Sequence, residues 1–282
     1  MTDTTSGQME LDGVRDPKLR RVWAFLRVCL VLGGIGGAKL LVRQLGWEVL
    51  APNPLFPALV ASEVVLLGFL LNGVLLDYKE GETIPAELAA AMECLASEVR
   101  GVQVLHPEAG IRPALAALTA FSEALLDWMR DGGGMTVLLD QLDALQQLIE
   151  QLRAWNPATM QARLLLELAT IRRHMYRIEV IRETTFVPSV YGMAYIGTGL
   201  LTVGLVLTDI EPFRESMFFI GVICFLLIKL LYLITDLDNP FAVGDEMSVE
   251  NVSLMPLALA MQRLRGGQEA LGRTSRRLLA KP

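Results

Sequence analysis

Histidine and cysteine are scarce in this sequence of 282 residues, which holds two of the first and three of the second. His106 stands beside Pro107 and His174 lies in a basic stretch, and neither has the neighbours of a metal site or of a nucleophile with its base. No metal, no cofactor and no enzymatic chemistry are therefore expected. Cys29, Cys94 and Cys224 form no spaced pair, so they read as reduced packing residues, not as a disulfide framework or a thiolate cluster. Positive charge is short as well. With 25 Lys and Arg against 31 Asp and Glu, the net charge is -6, and the cationic face that a nucleic-acid partner needs is missing.

Aliphatic residues take the place of what is scarce. Hydrophobic side chains make up 52% of the chain and mean hydropathy is +0.43, well above that of a soluble domain. The excess collects in four runs, 24–42, 55–76, 187–208 and 216–235. Each is close to the roughly 20 residues that a helix needs to cross a bilayer. A soluble globular enzyme is excluded, and membrane lipid becomes the expected surrounding. The polar stretch 1–23 is too long for the cationic start of a secretory signal, and no small-residue cleavage site follows Leu41, so the first helix is expected to stay attached.

Orientation follows from bases near the helix ends. Arg15, Lys18, Arg20 and Arg21 precede the first run, Lys79 follows the second, and Arg172, Arg173, Arg177 and Arg182 precede the third. These flanks are expected in the cytoplasm, with the short loops 44–53 and 209–215 outside. The expected layout is a cytoplasmic N-terminal segment 1–23, two spans within 24–76, a helical cytoplasmic domain 77–186, two spans within 187–235 and a cytoplasmic C-terminal segment 236–282. The bases between Arg263 and Lys281 agree with that placement.

The polar block reads as helical. One helix is expected to begin near Ile84, with Pro85 in its first turn and Leu88, Met92, Leu95 and Val99 along one face. Pro113 opens a second, striped by Leu115, Leu118, Leu125 and Met129, and the run Asp131 to Gly134 breaks it. A third carries Leu138, Leu142, Leu145, Ile149 and Leu152 and ends at Asn156-Pro157. A fourth, from about Thr159, bears Leu164, Leu168, Ile171, Met175 and Ile178 at alternating steps of four and three, a seam that can seat another helix. Its arginines read as a solvated face with acids of neighbouring helices opposite.

Charges inside apolar runs are functional suspects, and here they are Arg27, Lys39, Glu63 and Lys229. Arg27 and Lys39 lie near helix ends and can reach the interface. Glu63 needs a partner, and Lys39 or Lys229 could neutralise it. A structural ion pair is favoured over an ion relay, because an unpaired buried charge is so costly. The stretch from Gly33 to Lys39 has the wrong spacing for a phosphate loop and no Ser or Thr after the lysine. Gly33 and Gly37, four apart, instead suit close helix approach, as do Gly192, Gly197 and Gly204.

Two short motifs carry a family likeness. Leu66-Leu67-Gly68-Phe69, followed by a polar stretch and Pro85, resembles the pore helix of bestrophins, and Asp236-Leu237-Asp238-Asn239-Pro240-Phe241 after an apolar helix is similar to their pattern there. The resemblance is to the bestrophin superfamily and in particular to its bacterial bestrophin-like members. It implies an all-α fold of four transmembrane helices, with a helical cytoplasmic domain inserted between helices two and three. It also implies a homopentameric ring in the inner membrane, with an axial path for small inorganic ions, chloride among them, lined by the second helix.

At about 100° per residue, Ala61, Val65 and Phe69 share one face of that helix, and Ala58, Asn72 and Leu76 continue it. In a ring these side chains would form a mainly apolar constriction able to gate by dewetting, with Asn72 as a polar contact. Phe69 matches the family's constriction residue, and Glu63 points roughly 160° away from this face. Two departures bear on ions. Asp77, not a base, ends the helix's apolar run, and only Asp245 and Glu246 lie between Phe241 and Ser248, so calcium gating of the kind found in acid-rich relatives is not expected. The alternative is a non-conducting scaffold or signalling protein that binds a partner through the seam from Leu164 to Ile178.

Overall fold

The computed structural model describes residues 17–183, 188–241 and 251–279. Within them the chain forms α1 (Pro17–Gln44), α2 (Leu55–Leu105), α3 (Arg112–Asp131), α4 (Met135–Gln151), a single 3-10 turn, α5 (Ala158–Glu183), α6 (Pro188–Leu207), α7 (Phe213–Leu237) and α8 (Met255–Leu279). Among the described residues there is no strand, only an isolated bridge between Leu50 and Thr208. Stretches long and apolar enough to cross a bilayer lie in α1, in α2, in the run that ends with α6, and in α7. No more than 22% of any of them is buried within the chain, so most of this apolar surface has to be covered by lipid or by neighbouring copies. Val187, the expected start of the third span, lies outside the described residues, as do Arg15, Asp245, Glu246 and Ser248.

The chain divides into two compact units. One takes the residues up to Asp77 and those from α6 to Asn239, and the other takes α2 from Tyr78 on, α3 to α5, Pro240-Phe241 and α8.

In the first unit the polar groups converge on one end. Lys39 is 1% exposed, and its ammonium donates to the Glu48 carboxylate at 2.7 Å and to the carbonyls of Val206 at 3.2 Å and Thr208 at 2.5 Å. Three N–H donors thus meet three acceptors, two of them at the C-terminal end of α6, where the helix dipole favours a cation. Around this point Leu50 donates to Leu207 and accepts from Asp209, which ties loop 45–54 to the end of α6. Arg43 adds an ion pair to Glu211 and stands 4.1 Å over the Phe213 ring. The expected pairing of Lys39 with Glu63 is therefore corrected. Glu48, nine residues further on, folds back over the end of α1, so Lys39 is satisfied locally, while Lys229 is exposed on α7.

Glycine packing follows the expectation at Gly197 and Gly204 but not at Gly33, Gly37 and Gly192 within one chain. Added Cβ atoms at Gly33, Gly37 and Gly192 would meet open space, whereas Gly36 approaches Met217, Gly197 approaches Glu63 and Gly204 approaches Phe56.

In the second unit the largest correction concerns α2, which runs unbroken for 51 residues with Pro85 inside it. At ~1.5 Å per residue that is about 75 Å, more than twice the hydrocarbon thickness of a bilayer. Proline removes one backbone bond from a helix interior. Here Ile84, Leu88, Met92 and Leu95 on both sides of it are all buried in one core, which holds the helix through the fault. Thr83 also donates to the carbonyl of Glu80 in the turn before.

Gly132, at φ +78°, ends α3 and donates its amide to the Trp128 carbonyl. The α5 stripe of Leu164, Leu168, Ile171, Met175 and Ile178 is buried against the chain's own helices, which corrects its reading as a free docking seam. The alternative scaffold reading loses its binding face with it.

Polar pairs step along α2 and α5: the ion pairs Glu80 with Arg177 and Glu98 with Arg163, and between them the contact of Glu87 with the His174 ring. The hydrogen bond from Arg177 holds the Glu80 carboxyl below its ordinary range. That support is present above the usual carboxylate range and fades as pH falls through the lowered value. Arg172 pairs with Asp143. Arg182 departs from the expected solvated face, since it donates to the last carbonyls of α3, at Trp128 and Met129, and lies 4.4 Å over the Trp128 ring.

Helix α8, expected only as a tail, buries Leu257 and Leu264 in this core, and its Ala260 is buried as well. Arg263 and Arg265 pair with Glu93 and Glu123.

Lys39→Met should lower stability by about 3–5 kcal/mol, because it strands a half-buried carboxylate and two carbonyls. Lys229→Met should change it by less than about 0.5 kcal/mol, as for other exposed positions. Thermal unfolding of both variants in detergent checks the contrast.

Candidate functional site

The second membrane segment starts on a cap. The side chain of Asn53 accepts from the amide of Leu55 at 2.9 Å, and Pro57 falls in the first turn, where its missing N–H is not needed. From there α2 presents two opposite faces within the first unit. Glu63, Leu67, Leu70 and Val74, at steps of four, three and four, are buried. Ala58, Ala61, Val65, Phe69, Asn72 and Leu76 are all exposed, Val65 at 72%, Phe69 at 63% and Leu76 at 64%. A large aromatic and two large aliphatics on the open side of a membrane helix, with a carboxylate on the closed side, reverse the usual order of a solvated helix.

Glu63 is 7% exposed and accepts a hydrogen bond of 2.9 Å from the hydroxyl of Thr198 on α6. A Cβ at the preceding Gly197 would collide with its carboxylate, so the glycine is what lets the group lie against the α6 backbone. Neither Lys39 nor Lys229 is brought to it. Gly197 had the spacing of a close-approach glycine, but Thr198 was not announced as the partner of Glu63, because the apolar run around it has no charge to mark one.

The C-terminal motif divides in two. Asp236 lies in the last turn of α7, Asp238 caps that helix by donating its backbone N–H to the Ile234 carbonyl, and the side-chain oxygen of Asn239 is buried without a hydrogen-bond partner. Pro240 and Phe241 join the second unit. Phe241 is 5% exposed in the main core, and Pro240 accepts from the amide of Val252. Their seat is Gly81 of α2, where an added Cβ would stand 3.2 Å from the Phe241 ring and 3.4 Å from Pro240. The aromatic of the motif thus packs on a gap in a long helix, a role that spacing in the sequence did not announce.

His106 tilts against the Trp155 ring at 5.6 Å, and His174 pairs with Glu87. Among the described residues no three His, Cys, Asp or Glu side chains gather as metal ligands would.

Phe241→Ala should cost about 3–5 kcal/mol as a large core truncation. Gly81→Val should cost about 1–3 kcal/mol by overfilling the same contact. Unfolding midpoints in detergent should fall for both, and combining the two should be less than additive, because valine can fill part of the space the ring leaves.

No family model matches the sequence, and no curated protein does. Solved structures do match. A variant of a bacterial bestrophin homologue from Klebsiella pneumoniae superposes with a TM-score of 0.67 at 16% identity, over 86% of this chain and 99% of that one. A second variant of a bacterial bestrophin homologue from Klebsiella pneumoniae gives 0.66 at 17% identity, over 88% and 99%. The crystal structure of a membrane protein gives 0.70 at 16% identity, over 86% and 98%. Identity is low throughout, yet nearly the full length of each of those chains is covered, so what is shared is the architecture. Four apolar helices of spanning length and this superposition together make the chain an all-helical membrane protein with a bestrophin-like fold.

Proposed function

We propose that the chain is one subunit of a passive channel for small inorganic ions, five copies forming a ring with the first part of α2 on its axis. The observation that carries this reading is the open face of α2, where Ala58, Ala61, Val65, Phe69, Asn72 and Leu76 are all exposed while the opposite stripe is buried. In a ring these residues line the path, and Phe69 narrows it as a dry constriction. Lipid covers the remaining apolar surface. The likeness to bestrophin homologues supports chloride as the conducted ion, and the setting is a bacterial inner membrane. Both termini and the block 77–186 are cytoplasmic on the strength of their basic flanks.

Purified protein in liposomes should pass ions down a gradient, with a reversal potential on the chloride side, and silence from intact rings would overturn the channel reading. Phe69→Ala removes a large apolar group from the narrow point, so water persists there and conductance should rise while assembly size is kept. In a packed helix interface the same truncation would instead destabilise by about 3–5 kcal/mol and leave the protein silent. Unchanged flux from intact rings would remove Phe69 as the constriction. Orientation is checked separately. Tags at either end should resist an impermeant label in cells whose inner membrane is intact, and labelling there would reverse the topology.

A further inference from the structure

Within a bilayer helices have little hydrophobic drive to pack, since lipid tails are as apolar as leucine, so small-residue contacts and directional bonds set their arrangement. On the buried face of α2, Leu67, Leu70 and Val74 supply packing without direction. Glu63 is the polar member of that stripe. Its carboxylate accepts from the Thr198 hydroxyl at 2.9 Å, Thr198 is itself 6% exposed, and the missing side chain at Gly197 brings the α6 backbone up to the same carboxylate. A bond and a close approach at one point fix rotation of a helix about its axis in a way that an aliphatic stripe does not.

We infer that Glu63 and Thr198 are positioning residues that set the rotation of α2, and so decide that Ala61, Val65 and Phe69 face away from α6. The inference rests on α2 being the lining helix. Glu63 touches no conducted ion in this role. It holds the constriction in register from behind, two residues before Val65 and six before Phe69, on the opposite side of the same helix. Gln in place of Glu63 keeps an oxygen that can accept from Thr198, and Ser in place of Thr198 keeps the donor, so Glu63→Gln and Thr198→Ser should preserve the setting. Glu63→Leu and Thr198→Val remove one end of the bond each.

The test reads rotation directly. Spin labels are placed one at a time at exposed and half-buried positions between Ala61 and Phe69, in full-length protein with Cys29, Cys94 and Cys224 replaced by alanine. Collisions with dissolved oxygen and with a water-soluble nickel chelate are recorded in liposomes, so that lipid-facing and water-facing positions both report. The accessibility profile should show a period of about 100° per residue, with its maximum on the face of Val65 and Phe69. Glu63→Gln and Thr198→Ser should leave its phase and contrast unchanged. In Glu63→Leu and Thr198→Val the contrast should fall roughly threefold to tenfold, the ratio that one interhelical hydrogen bond in a bilayer sets.

The double variant should fall no further than either single one. A merely structural role would lower the unfolding temperature and leave both the phase and the contrast where they were. Should Glu63→Leu fail to assemble, Thr198→Val, close to isosteric, carries the test. Unchanged phase and contrast in assembled Thr198→Val would overturn the inference. Absent flux from wild-type rings, with a profile that still responds to these variants, would defeat the channel reading alone.

Discussion

A bilayer supplies no water to a stranded polar group, and that constraint arranges the first unit. Lys39 spends all three of its N–H donors on Glu48, Val206 and Thr208, and Glu63 finds its donor in Thr198. Except for the pair of Lys39 with Glu48, nine residues apart, these contacts join segments far apart in the chain: α1 to the end of α6, and α2 to the middle of α6. Apolar side chains can slide past one another at little cost, whereas these polar pairs cannot be moved without leaving a partner unsatisfied. They are the fixed points between which aliphatic stripes are free to adapt.

The second unit obeys a different solvent. Its core is a continuous aliphatic and aromatic cluster drawn from α2, α3, α4, α5 and α8, and its charges stand at the rim as exposed pairs such as Glu80 with Arg177 and Glu93 with Arg263. Pairs of that kind contribute little stability individually. Their value is in register, because the steps from Glu80 to Glu98 on α2 run against the steps from Arg177 to Arg163 on α5 and penalise a shifted packing. Helix α2 meets both regimes in one uninterrupted length, and Pro85 is tolerated in it because buried residues on either side share one core.

What was legible in the sequence was whatever periodicity or hydropathy encodes. The apolar runs, the α5 stripe at steps of four and three, Pro113 near the start of a helix and the glycine break after Asp131 all lie where pattern put them. What was not legible depends on distance in the chain. Lys39 was matched to the wrong acid because Glu48 lies in a loop whose path no local pattern gives. The helix expected to begin near Ile84 is continuous with the second span, because tertiary burial on both sides of Pro85 offsets proline's local penalty. Helix α8 is legible after the fact: Leu257, Ala260 and Leu264 have helical spacing, but they stand among Arg263, Arg265 and the bases that follow, which mask a buried stripe. Of the candidate lining, the six residues could be placed on one face from spacing alone, whereas the hydrogen bond that fixes the opposite face required the partner helix.

An identity of 16–17% to structures of nearly equal length shows how little of this architecture depends on particular side chains. At Leu67 and Leu70 an aliphatic side chain of similar volume meets the packing requirement, and at Gly204 an added Cβ would make only ordinary contact with Phe56. The same tolerance does not extend to positions whose neighbours are polar or already touching: Gly197 under the Glu63 carboxylate, Gly81 under Phe241, and Lys39 among its three acceptors. Such positions keep the helices in register. In a fold whose proposed work is done on the open face of α2, the residues that constrain that face most are those pointing away from it.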